Sequence, residues 1–155
     1  MRIYEAPGTL KKFRKTAWEF QVTFHTPLKE LAPFVEVIMS ALPGTQAATA
    51  VIEQMVFEPR YGLAALFEKH SIGPLSRPPD VTIEAPNAAE AREVLQALLS
   101  EWADFLFVPA PKPFVIYADH HEYITFLSHR KSGLTAVVAA LEAGKFTRVD
   151  YVRRW

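Results

Sequence analysis

Phe114-Val115-Ile116-Tyr117-Ala118, then Asp119-His120-His121-Glu122, then Tyr123-Ile124-Thr125-Phe126-Leu127: two runs of β-forming residues flank four polar ones. Aromatic and β-branched side chains suit a pleated, half-buried surface, and a short polar link suits a turn, so the stretch predicts a hairpin. The next residues set a helix beside it. Ser132 is placed to cap a helix whose apolar stripe is Leu134, Val137, Val138 and Leu141, and Gly144 ends it. Phe146 to Val152 reads as a last strand, with Arg153, Arg154 and Trp155 as a tail.

Working back from the hairpin, Pro109, Pro111 and Pro113 predict an extended link outside any ladder, and Phe105 to Val108 a short apolar strand before it. The helix ahead of that strand carries Ala91, Val94, Leu95, Leu98 and Trp102 on one stripe, with Asn87 and Glu90 spaced as a capping box. Val81, Ile83 and Ala85 alternate with Thr82 and Glu84 as a strand. From residue 80 onward this order resembles, as a pattern, a split β-α-β unit with an added strand.

The first half is less regular. Trp18, Phe20, Val22 and Phe24 alternate with polar residues from Ala17 to His25, which predicts a strand with one buried face. Thr26 and Pro27 suit a helix start, and Leu28, Leu31, Val35, Ile38 and Leu42 run on at helical spacing to Pro43-Gly44. Pro33 removes a backbone donor, so the first turn is expected to stand apart from the helix proper. Residues 45–57 read as a helix from their length and alanines, against a β-branched end that favours strand. Tyr61 to His70 reads as a short helix. Residues 71–79, with Gly73, Pro74, Pro78 and Pro79, read as a loop and the best place for a boundary. Each side is small for a core of its own, so residues 1–155 are expected to be one domain. The basic run Lys11, Lys12, Arg14 and Lys15 reads as a solvated lead-in after the turn at Pro7-Gly8.

The fold class that results is α+β, a mostly antiparallel sheet of about five or six strands with helices packed on one face. Bulk composition agrees. The chain has 155 residues, half of them hydrophobic, with eleven phenylalanines to fill a core. Seventeen basic and seventeen acidic residues give zero formal charge. Such a chain lacks the long-range attraction that nucleic acid rewards, and reduced self-repulsion favours a protein partner or self-association. No cysteine is present, which removes thiol chemistry and fits a reducing interior. Residues 1–16 contain no apolar run of leader type, and no stretch approaches the roughly 20 apolar residues of a membrane helix. The expectation is a cytoplasmic protein with no membrane contact.

The common catalytic signatures are missing. The six glycines never space as a phosphate or dinucleotide loop, and no serine stands between glycines as a nucleophile elbow. His121-Glu122 starts like a zinc-protease helix, but Thr125 stands where the second histidine belongs. Asp119, His120, His121 and Glu122 are the weak metal candidates. Consecutive turn residues point apart, though, and polar residues are what a turn wants, so neither metal nor cofactor is expected. The stronger candidate is His129, Arg130, Lys131, Ser132 and Gly133. These residues lead into a helix start, where unpartnered N–H groups and the helix dipole attract an anion. An exposed basic lead-in is the plainer reading of the same residues. Two functions remain open. The first is a non-enzymatic module acting on a protein partner, of inhibitor, immunity or assembly type. The second is a small-molecule or nucleotide-binding domain using Arg130 to Ser132, with an enzyme as one form of it.

Overall fold

The structure is a computed structural model and describes residues 1–42, 44–59, 62–71 and 81–154. Its strands are β1 (Arg2–Glu5), β2 (Phe20–His25), β3 (Ala47–Met55), β4 (Val81–Ala85), β5 (Ala103–Ala110), β6 (Val115–Ala118), β7 (Tyr123–Ser128) and β8 (Arg148–Val149). Its helices are α1 (Thr9–Arg14), α2 (Leu31–Ser40), α3 (Gly62–Lys69), α4 (Ala88–Leu99) and α5 (Lys131–Ala143). The strands form one antiparallel sheet of eight in the order β1-β4-β3-β5-β6-β7-β2-β8. The class is α+β, with more strands than the five or six expected.

Two units of the same design share the sheet. β4 and β5 flank β3, each antiparallel to it, and α4 connects them. β7 and β8 flank β2 in the same way, and α5 connects those. Each is a split β-α-β unit, and β6 joins the two by pairing with β5 and β7.

Side chains alternate across a strand, so the two sheet faces can be read from residue parity. One face carries Phe24, Ile52, Ile83, Phe107, Ile116 and Phe126 into a core roofed by α2, α3, α4 and α5. The other carries Val51, Leu106, Val115, Tyr117 and Leu127, covered by Leu10 and Phe13 of α1. Helices on one face only was thus an incomplete expectation. The basic run of residues 11–15 hid α1, whose buried pair spans three positions while Lys11 and Lys12 stay exposed.

Residues 45–57 are the main correction. They form β3, a central strand rather than a helix. Ala48, Ala50 and Ile52 alternate onto the helical face, and Val51 points to the other. The alanines that favoured helix fit a strand lying beneath α4, because small side chains let a helix approach closely. Packing overrode propensity. Pro109 also lies in a ladder, opposite Ala48, although β6 pairs with β5 only as far as Phe107. β5 therefore has a partner on one edge alone at that proline, where strands tolerate one.

Chain ends and caps follow the sequence in part. Asn87 caps α4 as expected, accepting from the Glu90 N–H at 2.9 Å while its amide donates back to the Glu90 carboxylate. Pro33 stands in the first turn of α2, after a separate 3-10 turn at Leu28–Glu30, as its missing donor predicted. Thr26 supplies no cap to that turn. Ser132 is not the cap of α5: the helix starts at Lys131 with Arg130 at the cap position. Gly144 ends α5 in right-handed conformation, and Lys145 takes the left-handed one at φ 61°. The final strand shrinks to Arg148–Val149, because the chain beyond it turns onto the α1-side face of the sheet.

Trp18 and Trp102 also depart from the expected core stripe. Residues 17–19 precede β2, and the Trp18 ring packs with Phe13 at 5.3 Å, on the α1 side. Trp102 lies beyond α4 and is 51% exposed. Phe20 and Val22 sit at the margin of the main core, where Phe24 is fully buried. Pro43, Tyr61, Trp155 and nearly all of the loop read at 71–79 lie outside the described residues. No helix among the described residues is long and apolar enough to cross a membrane.

Candidate functional site

β7 carries the chain from the hairpin to the start of α5, and a groove of about 480 Å³ opens there. Its walls come from three separate segments: Trp18 before β2, residues 112–114 in the β5–β6 link, and Ser128, His129, Arg130, Ser132 and Gly133. Of the residues expected from sequence, His129, Arg130, Ser132 and Gly133 line it. Lys131 opens α5 next to them without forming a wall.

Local hydrogen bonds fix this geometry. The Ser128 hydroxyl donates to the Pro113 carbonyl at 2.9 Å and accepts from the Arg130 N–H at 3.2 Å, tying the β5–β6 link to the helix start. A Cβ on Gly133 would lie 2.4 Å from the Pro113 carbonyl oxygen and 2.4 Å from the Ser128 hydroxyl. The glycine is therefore needed for close packing within the chain, where the sequence suggested room for a ligand. The Gly133 N–H is already bonded to the Arg130 carbonyl at 3.0 Å, which leaves the earlier N–H groups of the first turn for any anion. The His129 ring stacks on Trp18 at 4.6 Å and 22°, giving the groove a flat aromatic wall.

The charge of the groove is one-sided. Lys112, His129 and Arg130 line it and no carboxylate does. Among the described residues, Lys112, Arg130 and Lys131 take part in no ion pair. Several cations elsewhere are paired, Lys69 with Glu93, Arg92 with Glu36, Arg148 with Glu142 and Arg153 with Asp119, while Lys11, Lys12, Lys15, Lys29 and Lys145 stand scattered on the surface. A second groove of about 490 Å³, between α3 and α4, holds Lys69 and Glu93 together and so carries no charge in need of a partner. Lys112 and Trp18 were missed from sequence. Lys112 sits among prolines with no period to flag it, and the alternation from Ala17 to His25 groups Trp18 with Phe24 on one buried face.

The hairpin turn disperses its four polar residues. Asp119 accepts from the N–H groups of His121 and Tyr123 with one carboxylate oxygen and pairs with Arg153 through the other. His120 turns back to Asp104, Nδ1 to Oδ1 at 2.7 Å, and its ring packs against His121. Glu122, left-handed at φ 66°, lies 3.5 Å from His25. No cluster of three or more such side chains poised for a metal occurs among the described residues. The cleft beside His120 measures about 20 Å³, room for about one water molecule. Among the described residues no hydroxyl is bonded to His120.

A chain of polar contacts also crosses the α1-side face. The Tyr117 hydroxyl donates to Glu53 at 2.6 Å, Glu53 pairs with Arg14, and the Arg153 guanidinium lies 4.3 Å above the Tyr117 ring. Burial, and next the Asp104 charge, push the Tyr117 hydroxyl up to about 12. A raised value favours the protonated form when folded. Its stabilisation is thus fully present below the ordinary tyrosine value of 10.0 and is lost as pH climbs from there to about 12. Urea unfolding should show on the order of 2–3 kcal/mol draining away in that window, at 1.36 kcal/mol per pH unit. Tyr117→Phe should flatten the loss, and an unchanged slope in that variant would assign it to other groups.

No known protein family matches this chain, and neither the curated proteins nor the solved structures give a match.

Proposed function

We propose that this protein is a non-enzymatic binding module whose recognition site is the groove at the start of α5, and that it accepts an anionic group of phosphate or carboxylate type. The observation that carries this is the one-sided lining: Lys112 and Arg130, from separate segments and without ion pairs, face one groove beside an aromatic wall. A forked guanidinium and a point-charge ammonium together suit an oxyanion. Each charge-assisted hydrogen bond contributes about 1.5–3 kcal/mol. Titration calorimetry with inorganic phosphate, sulfate and a mononucleotide tests it. At least one should bind with Kd below about 1 mM, equivalent to 4.1 kcal/mol. The Arg130→Ala, Lys131→Ala double variant should weaken that by about tenfold or more, since one such bond lost is worth at least that. Equal binding by the double variant would reduce the cluster to a solvated helix lead-in. Tighter binding of the mononucleotide than of phosphate would point to an added contact with its base at the Trp18–His129 wall.

A protein partner is the second reading, and a specific feature favours it. Val56, Phe57 and Trp102 are exposed together, with the Phe57 and Trp102 rings 6.0 Å apart. Large aromatics held at the surface are what binding hot spots are made of. Light scattering across a range of concentrations reads self-association directly. Association that survives Phe57→Ala, Trp102→Ala would remove this patch from consideration.

A further inference from the structure

Residues 150–154, beyond β8, have no regular structure, yet residues 151–153 lie against the sheet through specific contacts. The Gln21 side-chain amide clasps the Arg153 backbone from both sides, donating to its carbonyl at 3.1 Å and accepting from its N–H at 2.8 Å. The Thr23 hydroxyl, itself 3.0 Å from that of Thr125, donates to the Tyr151 carbonyl. The Tyr151 ring stacks on Tyr123 at 5.1 Å and 12°. Arg153 places its guanidinium over Tyr117 and pairs with Asp119, whose side chain is 7% exposed. Between these anchors Val152 is 59% exposed. β8 itself holds to β2 by only two residue pairs, Thr23 with Val149 and Phe24 with Arg148.

This arrangement has the parts of a peptide-recognition site: a backbone clasp, an aromatic shelf, and a buried carboxylate and a ring face that together receive a guanidinium. We infer that Gln21, Thr23, Tyr117, Asp119 and Tyr123 form a docking site for an extended peptide with a tyrosine two positions before an arginine, and that the chain's own residues 151–153 fill it as a releasable strap. The exposure of Tyr151 and Val152, 39% and 59%, and a two-pair ladder make the strap a low-stability element of the fold. A partner segment of the same chemistry competes with it for the site. This docking site is independent of the groove at α5, whose charge is opposite.

The test uses the full chain with Tyr151→Ala and Arg153→Ala, which keeps the segment but removes its anchors. A labelled, end-capped peptide Asp-Tyr-Val-Arg-Arg, residues 150–154, is titrated by fluorescence anisotropy. The altered chain should bind it about tenfold or more tightly than the unaltered chain, where the tethered segment holds the site at an effective concentration near the millimolar range. Adding Asp119→Asn should abolish the gain. Asparagine keeps the oxygen that accepts from His121 and Tyr123 while losing the charge, and a melt confirms that the fold persists. Equal binding by altered and unaltered chains, or binding indifferent to Asp119→Asn, overturns the proposal. Amide exchange on the unaltered chain gives a second reading. The Arg153 N–H should exchange much faster than that of Thr125, and faster again in excess peptide. If Arg153 is protected as strongly as Thr125, the segment never leaves and the site is only part of the fold.

Discussion

Phe126→Ala should lower the stability of this protein by about 3–5 kcal/mol, the cost of emptying a buried aromatic site. Phe126 is fully buried on β7, opposite Val22 of β2 and Ile116 of β6. It meets Phe24 edge-on at 6.1 Å and 88°, and Phe114 at 5.5 Å and 75°. Three rings from three segments therefore lean on one another at the join between the β2 unit and the rest of the sheet. Edge-to-face pairs add about 0.5–1.5 kcal/mol beyond burial, and rings held by neighbours on several sides leave a cavity that closes poorly. Phe20→Ala, by contrast, should cost far less than the sequence alone suggests, because Phe20 is only partly buried. Urea midpoints at unchanged slope measure both. A Phe126→Ala chain within about 1 kcal/mol of the parent would contradict the core assigned here.

Gly133→Ala is the second large effect, and its sign is the informative part. In an ordinary helix position alanine gains about 1 kcal/mol over glycine. Here the new Cβ meets the Pro113 carbonyl and the Ser128 hydroxyl, each at 2.4 Å, and neither is the free end of a long side chain. Relief requires the helix start to move away from the β5–β6 link, breaking the Ser128 bonds to Pro113 and Arg130. Overpacking of about 1–3 kcal/mol and two hydrogen bonds of about 0.5–1.5 kcal/mol each outweigh the helical gain of about 1 kcal/mol, for a net loss of about 1–5 kcal/mol. At roughly 2–4 °C per kcal/mol in a domain of this size, the melting temperature should drop by about 2–20 °C. A stabilised variant would mean that the helix and the link are not in contact. The same variant should also weaken anion binding, since Pro113, Ser128 and Gly133 are all walls of the groove.

Much of this fold was legible where local signals agree with the tertiary environment. The hairpin around Asp119–Glu122, the Asn87–Glu90 cap and the stripe of α5 all carry patterns that their surroundings reinforce. β3 was not legible, because Ala50, Val51 and Ile52 are buried in succession on both faces, which breaks the alternation that distinguishes a strand, and its alanines answer to α4 rather than to the backbone. β1 and α1 were too short to show a period at four and six residues, and their charges masked two buried positions in α1. The site divides in the same way. His129 to Gly133 stood out because they are contiguous with a helix start. Lys112 and Trp18 reach the groove only through pairing of distant strands, which no local pattern encodes. The role of Gly133 was likewise invisible, since Pro113 and Ser128 meet it across the β6–β7 hairpin.

The measurement that tests the central claim most directly is an amide spectrum of the labelled chain titrated with inorganic phosphate. Saturable shifts should concentrate at Lys112 and at His129 to Gly133, with Kd below about 1 mM. Lys112→Ala, Arg130→Ala should weaken them by about tenfold or more. Shifts that never saturate, or that spread instead over Lys11 and Lys12 on the exposed face of α1 and Lys15 at its end, would contradict an anion site at the start of α5.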